Sequence, residues 1–430
     1  MNTNSVLRNI KHTVSDALVF DVDQRTGFMA PHPPLTRLPQ LWEPWESTLD
    51  EAIQRKLQLG DKLGLTEEEK YKSERWRSLV RELPIISIEE LDTPVLLRRG
   101  HLILTYILHF YVQSLPPDSP VLIPRPISLP LLRVSKRLDI PPLLTFSDTV
   151  LYNWVLNLPD STTPDIHNIR SHTLFSGLSD EEEFYLCSAR IELRGVEALE
   201  LMRVTMDETF VGDAIAVRRI SGYLRRMAGV INELKALLLD VQQLCDPDKY
   251  YNEVRPWFRG EDSDINKRKW KYEGVEEEST LSPPLELSGP SAGQSSMVHV
   301  LDIFLGVNHR SASPDKPSFM ARMQSYMPRN HRLFLDHLAS NPRPLRTFVM
   351  ETGNADLLEA YNLAVLALKE FRDAHMVIAT LYILGPARRA AKAANEYDHS
   401  SQDPLKGTGG TNLVKFLKDT RNRTKETLLP

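Results

Sequence analysis

The apolar positions of this chain fall mostly on a helical period. Leu357, Tyr361, Ala364, Leu368, Phe371, His375, Ile378 and Tyr382 recur at alternating steps of four and three, one face of a helix from Asn354 to Gly385. Gly385 and Pro386 read as its stop. At ~1.5 Å per residue such a helix is roughly 40 Å long, enough to cross a domain. Ile220, Leu224, Met227, Ile231, Leu234, Leu238 and Val241 mark a second long helix. Phe184, Cys187, Ser188, Ile191 and Ala198 share a face of a third, with Ser179 and Glu182 expected to cap its start.

Shorter signals fill the remainder. Thr66 with Glu69 forms a capping box for a helix ending before Pro84, and Thr93-Pro94 opens another that runs to Leu115. Residues 1–45 are proline-rich and read as irregular, and eight prolines from Pro116 to Pro142 predict turns and short extended pieces. A short helix is expected from Phe146 to Trp154. Asp160 to Ser179 reads as a surface connection. Asp246-Pro247 starts a short helix bearing Tyr250, Tyr251 and Arg255, ended or kinked by Pro256, and residues 260–293 look loop-like. Gln294 to Val307 and Ser318 to Tyr326 are further helices, whereas the polar stretch 385–411 reads as a mobile loop. Runs of period two are few. The expected fold is all-α: a small, mostly helical N-terminal domain, 1–158, and a large helical domain, 159–430.

Composition narrows the class. With 41% hydrophobic and 25% charged residues, the 430-residue chain has an ordinary globular make-up. A net charge of −5 without a basic block argues against nucleic acid and anionic membranes as partners. Cys187 and Cys245 are the only cysteines, too few for a disulfide framework and suited to a reducing compartment. The N-terminus lacks an apolar signal core and the run from His101 to Leu115 is too short to span a bilayer, so a cytoplasmic protein is expected.

Chemistry is sparse. There is no G-x-G-x-x-G after a strand, no P-loop, no H-E-x-x-H and no G-x-S-x-G. Of the twelve histidines, His375 stands out on the buried stripe of the long helix, with Arg372 one turn before it. A neutral imidazole in an apolar wall can ligate haem iron while a neighbouring arginine holds a propionate; a core histidine bonded to a carbonyl fits the same pattern. Gly407-Thr408-Gly409-Gly410-Thr411 can cradle an anion or serve as a flexible turn.

Three stretches, in order along the chain, carry a resemblance: Ser291-Ala292-Gly293-Gln294-Ser295-Ser296, Phe371-Arg372-Asp373-Ala374-His375, and Lys406-Gly407-Thr408-Gly409-Gly410-Thr411. Tyr272-Glu273-Gly274, Tyr326-Met327-Pro328, His331-Arg332 and Asn153-Trp154 support them. Together they resemble the indoleamine 2,3-dioxygenase family from about Leu38 to Leu429. The resemblance implies heme b as cofactor, with His375 as the iron's proximal ligand, Arg372 at a propionate and Asp302 beside that arginine. It implies Phe184 and Ser188 over the iron, Tyr250 as a second pocket aromatic, and Arg255 as the clamp on the substrate carboxylate. Phe146, Thr149 and Val150 would line the inner wall, and Ser291, Ala292 and Thr408 the amino-acid end. The reaction implied is insertion of O2 across the indole C2–C3 bond of L-tryptophan, giving N-formylkynurenine on the kynurenine route towards NAD, by a monomer that draws on a reductant. The cofactor carries the hard step, which accounts for the missing general base. Tyr250, Pro290 and Phe146 depart from the commoner Phe, Gly and Tyr. They leave open a low-activity or non-catalytic haem-binding paralogue, or a dioxygenase for a different indole.

Overall fold

The computed structural model describes residues 19–157, 163–309, 317–393 and 413–430. Fourteen α-helices longer than a single turn lie in that set, with four three-residue strands, so the fold is all-α as the periodicity predicts. The N-terminal part holds α1 (Glu43–Gln54), α2 (Glu67–Glu82), α3 (Pro94–Gln113) and α4 (Arg125–Leu138). The capping box is present: the Glu69 N–H donates to the Thr66 hydroxyl at 3.2 Å, and the Thr66 N–H donates to the Glu69 carboxylate at 2.8 Å. Thr93 caps α3, whose stretch from Arg99 to Gln113 is buried throughout. A guanidinium–carboxylate pair, Arg99 with Glu46 at 2.6 Å, joins α3 to α1 in the interior.

α4 corrects the proline reading. Pro126 sits in its first turn and Pro130 lies inside it. An interior proline costs about 3 kcal/mol. Ile127, Leu131 and Val134 are fully buried on the same helix, and each such side chain returns roughly 1.5–3 kcal/mol. Burial therefore outweighs the broken hydrogen bond.

The C-terminal part is built on α5 (Ser179–Arg194), α6 (Val196–Val211) and α7 (Ala214–Leu244). Ser179 and Glu182 do not cap α5. Leu178 stands at the N-cap position and no side chain caps the helix; Glu181 instead accepts from the Phe175 and Ser176 N–H groups of the preceding loop at 2.8 and 2.7 Å, and Glu182 from the Ser171 N–H. The helix also ends at Gly195, so Ala198 belongs to α6. α8 (Ser296–Leu305), α9 (Phe319–Gln324), α10 (Arg329–Ala339) and α11 (Leu345–Thr352) lead to α12 (Ala355–Ala379). Asn354 caps α12 by accepting from the Leu357 N–H at 3.0 Å. Leu357, Tyr361, Ala364 and Leu368 are fully buried, and α12 packs chiefly along α7.

Gly385 and Pro386 do not stop the helix. A wide turn, Thr380–Leu384, opens α12 and passes directly into α13 (Gly385–Ala393). The i to i+5 turn loosens the ladder where Pro386 lacks an N–H. Part of the expected 385–411 loop is thus helical. α14 (Leu413–Glu426) then returns against α12. The helices α1, α10, α11 and α14 have no counterpart in the periodicity reading.

Two small sheets tie distant segments. β1 (Val121–Ile123) runs parallel to β4 (Trp270–Tyr272), inside the stretch expected to be loop. β2 (Trp154–Leu156) pairs antiparallel with β3 (Ile169–Ser171). The expected short helix before β2 is a single wide turn, Ser147–Leu151. One apolar core links α1 through α12, and a second gathers Met29, Phe146, Val150 and Trp154 against Leu186, Ala189 and Leu193 of α5. Among the described residues no helix is long and apolar enough to cross a membrane.

Candidate functional site

The last third of α12 carries the candidate cofactor end. His375 is partly buried, and no hydrogen bond to its ring is present among the described residues. Burial, reinforced by the Arg372 charge, lowers its pKa to about 4, so the imidazole is neutral near pH 7. Arg372, one turn earlier, is buried and gives one guanidinium nitrogen to both carboxylate oxygens of Asp302 on α8, at 2.5 and 2.6 Å. Its other terminal nitrogen donates to the Thr424 hydroxyl on α14. Burial alone would raise Asp302; Arg372 and His309, whose Nε2 lies 2.6 Å away, overcome it and hold the carboxyl at about 2. Three helices therefore converge on one fixed guanidinium.

Aromatic rings form the adjoining wall. Phe184 on α5 lies 4.4 Å from Tyr250, centroid to centroid, and Tyr250 lies 5.7 Å from Tyr382 in the wide turn after α12. Tyr382 donates to the Cys245 carbonyl at 2.6 Å and so pins that turn to the end of α7. The segment from Asp246 folds as one helical turn, Pro247–Lys249, then a wide turn, Tyr250–Val254, then a tight one, Arg255–Phe258. Asp246 caps it by accepting from the Asp248 and Lys249 N–H groups, and Asp180 at the start of α5 accepts from the Asp246 N–H at 2.7 Å. The chain that carries Tyr250 is thereby tied to the helix that carries Phe184. Arg255 is buried, its guanidinium 5.5 Å from the Tyr251 ring, and burial lowers its pKa. Ser188 is partly buried one turn beyond Phe184.

The remaining candidates form a separate set. Phe146 and Val150 are buried against Leu186, Ala189 and Leu193, a different flank of α5 from Phe184. Thr149 turns its hydroxyl to its own turn, 3.3 Å from the Thr145 carbonyl. Ser291 caps the tight turn Ala292–Gln294 by accepting from the Gly293 N–H. The Phe146 N–H donates to Gln294 Oε1 at 2.8 Å, and Gln294 Nε2 donates to the Gly289 carbonyl at 3.0 Å, which joins the two turns. Thr408 lies outside the described residues. Sequence reasoning does not mark Gln294, His309, Tyr382 or Thr424 as site residues, although Gln294 lies in the Ser291–Ser296 motif and Tyr382 on the apolar stripe of the long helix.

These residues suit a haem. Iron takes a neutral imidazole, which His375 offers, and a buried guanidinium is a fit partner for a propionate. Among the described residues no three His, Cys, Asp or Glu side chains are grouped to hold a bare metal ion. A porphyrin needs only one protein ligand on a given face.

An all-helical chain presenting one neutral histidine, a fixed arginine and an aromatic wall has the parts of a helical haem protein. Comparison with known sequences narrows the class. The family model described as indoleamine 2,3-dioxygenase matches residues 16–427. The chain is 30% identical to indoleamine 2,3-dioxygenase 1 of Rattus norvegicus over 416 residues, 95% of either chain. It is 31% identical to indoleamine 2,3-dioxygenase acdA of Aspergillus candidus over 431 residues, covering 97% of this chain and 98% of that one. An indoleamine 2,3-dioxygenase of Saccharomyces cerevisiae is 31% identical over 417 residues, 86% of this chain and 90% of its own. The chain belongs to the indoleamine 2,3-dioxygenase family. It is a haem-dependent oxidoreductase, a dioxygenase of tryptophan or a related indole.

Proposed function

We propose that the substrate is L-tryptophan and the product N-formylkynurenine, the first step of the kynurenine route. The observation that carries this reading is Arg255, a buried guanidinium on the segment that bears Tyr250, whose ring is packed on Phe184. A buried cation beside an aromatic wall is a receptor for an aromatic amino acid: the rings take the indole and the guanidinium takes the carboxylate.

Haem bound through His375, kept ferrous by a reductant, supplies the O2 chemistry at the indole C2–C3 bond. The protein's own contribution is placement. Arg372 and Asp302 hold the propionate end, Phe184 and Tyr250 orient the ring, Ser188 serves the iron side of the slot with Phe184, and Ser291 and Ala292, with Thr408, serve the substrate's amino-acid end. Phe146, Thr149 and Val150 back the slot. Residues 1–158 close it as a smaller domain over the haem-bearing part, 159–430, and the enzyme works as a cytoplasmic monomer.

The test is a product assay on haem-loaded protein with reductant, air and L-tryptophan, N-formylkynurenine being read by mass. Wild type should form it and His375→Ala should not. Arg255→Ala should raise KM for tryptophan about 100-fold, the worth of a charge-assisted contact near 3 kcal/mol. An unchanged KM would end the carboxylate-clamp reading.

One observation favours a second reading, a dioxygenase for a different indole. Tyr250 places a buried phenol, rather than a plain phenyl ring, against Phe184. Tyr250→Phe with Pro290→Gly should then shift preference towards tryptophan.

A further inference from the structure

Glu192 is a buried acid that the proposed reaction does not use. It sits on α5 one turn beyond Ser188 and two beyond Phe184, and is 1% exposed. Its Oε1 accepts from the Ser295 hydroxyl at 2.6 Å, whereas Oε2, equally buried, has no hydrogen-bond partner among the described residues. Ser295 closes the Ala292–Gln294 turn, its N–H donating to the Ala292 carbonyl at 3.1 Å, and caps α8. A single hydrogen bond therefore spans the helix bearing Phe184 and Ser188 and the turn bearing Ser291 and Ala292. Next to this link the chain is tightly packed: a Cβ on Gly195 would press on the Met297 side chain of α8.

We propose that Glu192 is a positioning residue for the reaction: through Ser295 it fixes the distance between the Phe184–Ser188 helix face and the Ser291–Ala292 turn. This rests on the site reading given above.

The chemistry of the pair supports the role. Burial pushes the Glu192 carboxyl up to about 7, partly offset by the Ser295 hydroxyl, and no other group contributes. The titratable groups of the elements around it are engaged elsewhere. In the N-terminal turn Asp23 holds Arg25, and in the Ser147–Leu151 turn Asp148 holds His101. On α8 His299 bonds the Gly293 carbonyl and Gln324, and Asp302 bonds Arg372 and His309. His331 of α10 bonds Ser296. On α5 itself, Glu183 pairs with Arg190, and Arg194 with Glu197 and Glu233. Below its pKa Glu192 is a neutral acid whose Oε1 accepts from Ser295 and which places no charge in the interior. Above it, a carboxylate with one oxygen bare is a buried charge that pulls water or movement into the link.

The test uses full-length, haem-loaded protein with Glu192→Gln, Glu192→Ala, Ser295→Ala and the last two combined. Glu192→Ala and Ser295→Ala should each raise KM for tryptophan about tenfold with kcat within about threefold, and the double variant should be no worse than either, because neighbours sharing one bond are not additive. Glu192→Gln keeps an acceptor for Ser295 and should restore KM. Wild type should show a rise in KM above about pH 7, and Glu192→Gln should lack it. An unchanged KM in folded Glu192→Ala, or effects that multiply in the double variant, would overturn the proposal. A Glu192→Gln variant as impaired as Glu192→Ala would do the same. Two readouts need no turnover: the infrared band of a protonated carboxyl, present in wild type at pH 6 and absent in Glu192→Gln, and the coupling of Glu192 to Ser295 in urea unfolding. If wild type makes no N-formylkynurenine while both are seen, the substrate reading has failed and the Glu192–Ser295 link has not. If neither is seen, the link itself is wrong.

Discussion

Arg372 and Asp302 meet in the interior as a two-point ion pair, one guanidinium nitrogen reaching both carboxylate oxygens. Each charge makes the other's burial tolerable, and the pair joins α12 to α8 one turn from His375. Removing one partner strands the other, which typically costs 3–5 kcal/mol, whereas replacing both by apolar groups is often close to neutral. Asp302→Ala should therefore lower unfolding stability by about 3–5 kcal/mol, measured in urea at pH 7. Asp302→Leu with Arg372→Met should recover most of that stability and still bind haem poorly. Recovery of both properties would separate Arg372 from the cofactor.

His109 gives the fold an acid-sensitive point. Its Nδ1–H donates to the Trp257 carbonyl at 2.7 Å, and its Nε2 accepts from the Leu144 N–H at 3.3 Å, so a neutral ring satisfies both neighbours. Burial lowers its pKa from 6.5 to about 4, outweighing the Trp257 carbonyl and Asp148. Because the unfolded chain binds this proton more tightly, the stability His109 contributes is complete above about pH 6.5 and is lost as pH falls through 4. His299, His331 and His172 are depressed by burial in the same sense. Melting temperature should thus drop between pH 6.5 and 4. His109→Gln should flatten part of that slope at a cost of about 1–3 kcal/mol at neutral pH.

Glu192 works in the opposite direction. An acid whose pKa rises from 4.5 to about 7 on folding contributes stability that is complete below pH 4.5 and lost as pH rises through 7. Glu192→Gln should remove that alkaline loss, so its melting temperature should exceed that of wild type at pH 8 more than at pH 5. Equal differences at both values would mean the carboxyl does not titrate there.

Gly260 and Gly289 let two loop segments pass backbone against backbone. A Cβ on Gly289 would collide with the Phe258 carbonyl, and one on Gly260 with the Leu287 carbonyl. Neither obstacle is a flexible side chain that can swing away. Gly289→Ala should cost about 3 kcal/mol in urea unfolding. It should also displace the turn bearing Ser291 from the segment bearing Arg255, seen as a raised KM for tryptophan.

Phe184 and Tyr250 should be separable by truncation. Phe184→Ala removes the ring that Tyr250 packs on at 4.4 Å, and the lost contact, about 1.4 kcal/mol, should weaken tryptophan binding about tenfold. Tyr250→Phe keeps the ring contact and should leave affinity equal or improved. Spectral titration of the haem with tryptophan checks both.

The sequence by itself determined the parts that depend on neighbours along the chain. The Thr66–Glu69 box, the Thr93-Pro94 start and the stripes of α7 and α12 are local rules, obeyed because a helix satisfies its own backbone and repeats every 3.6 residues. His375 stood out for the same reason, a polar residue on an apolar stripe, and its ordered companions pointed to the family. Tertiary structure decided what depends on residues far apart. Burial of Ile127, Leu131 and Val134 kept α4 helical through Pro130, and a wide turn carried α12 past Pro386 into α13. Glu181 and Glu182 in the first turn of α5 tie down the preceding loop rather than cap the helix, because folding brings the Phe175, Ser176 and Ser171 N–H groups to them. Glu192 and Ser295 are 103 residues apart, and no period along the chain marks them as a pair. Only the packing of α5 on the start of α8 takes both out of water, and a buried acid and hydroxyl have to find each other.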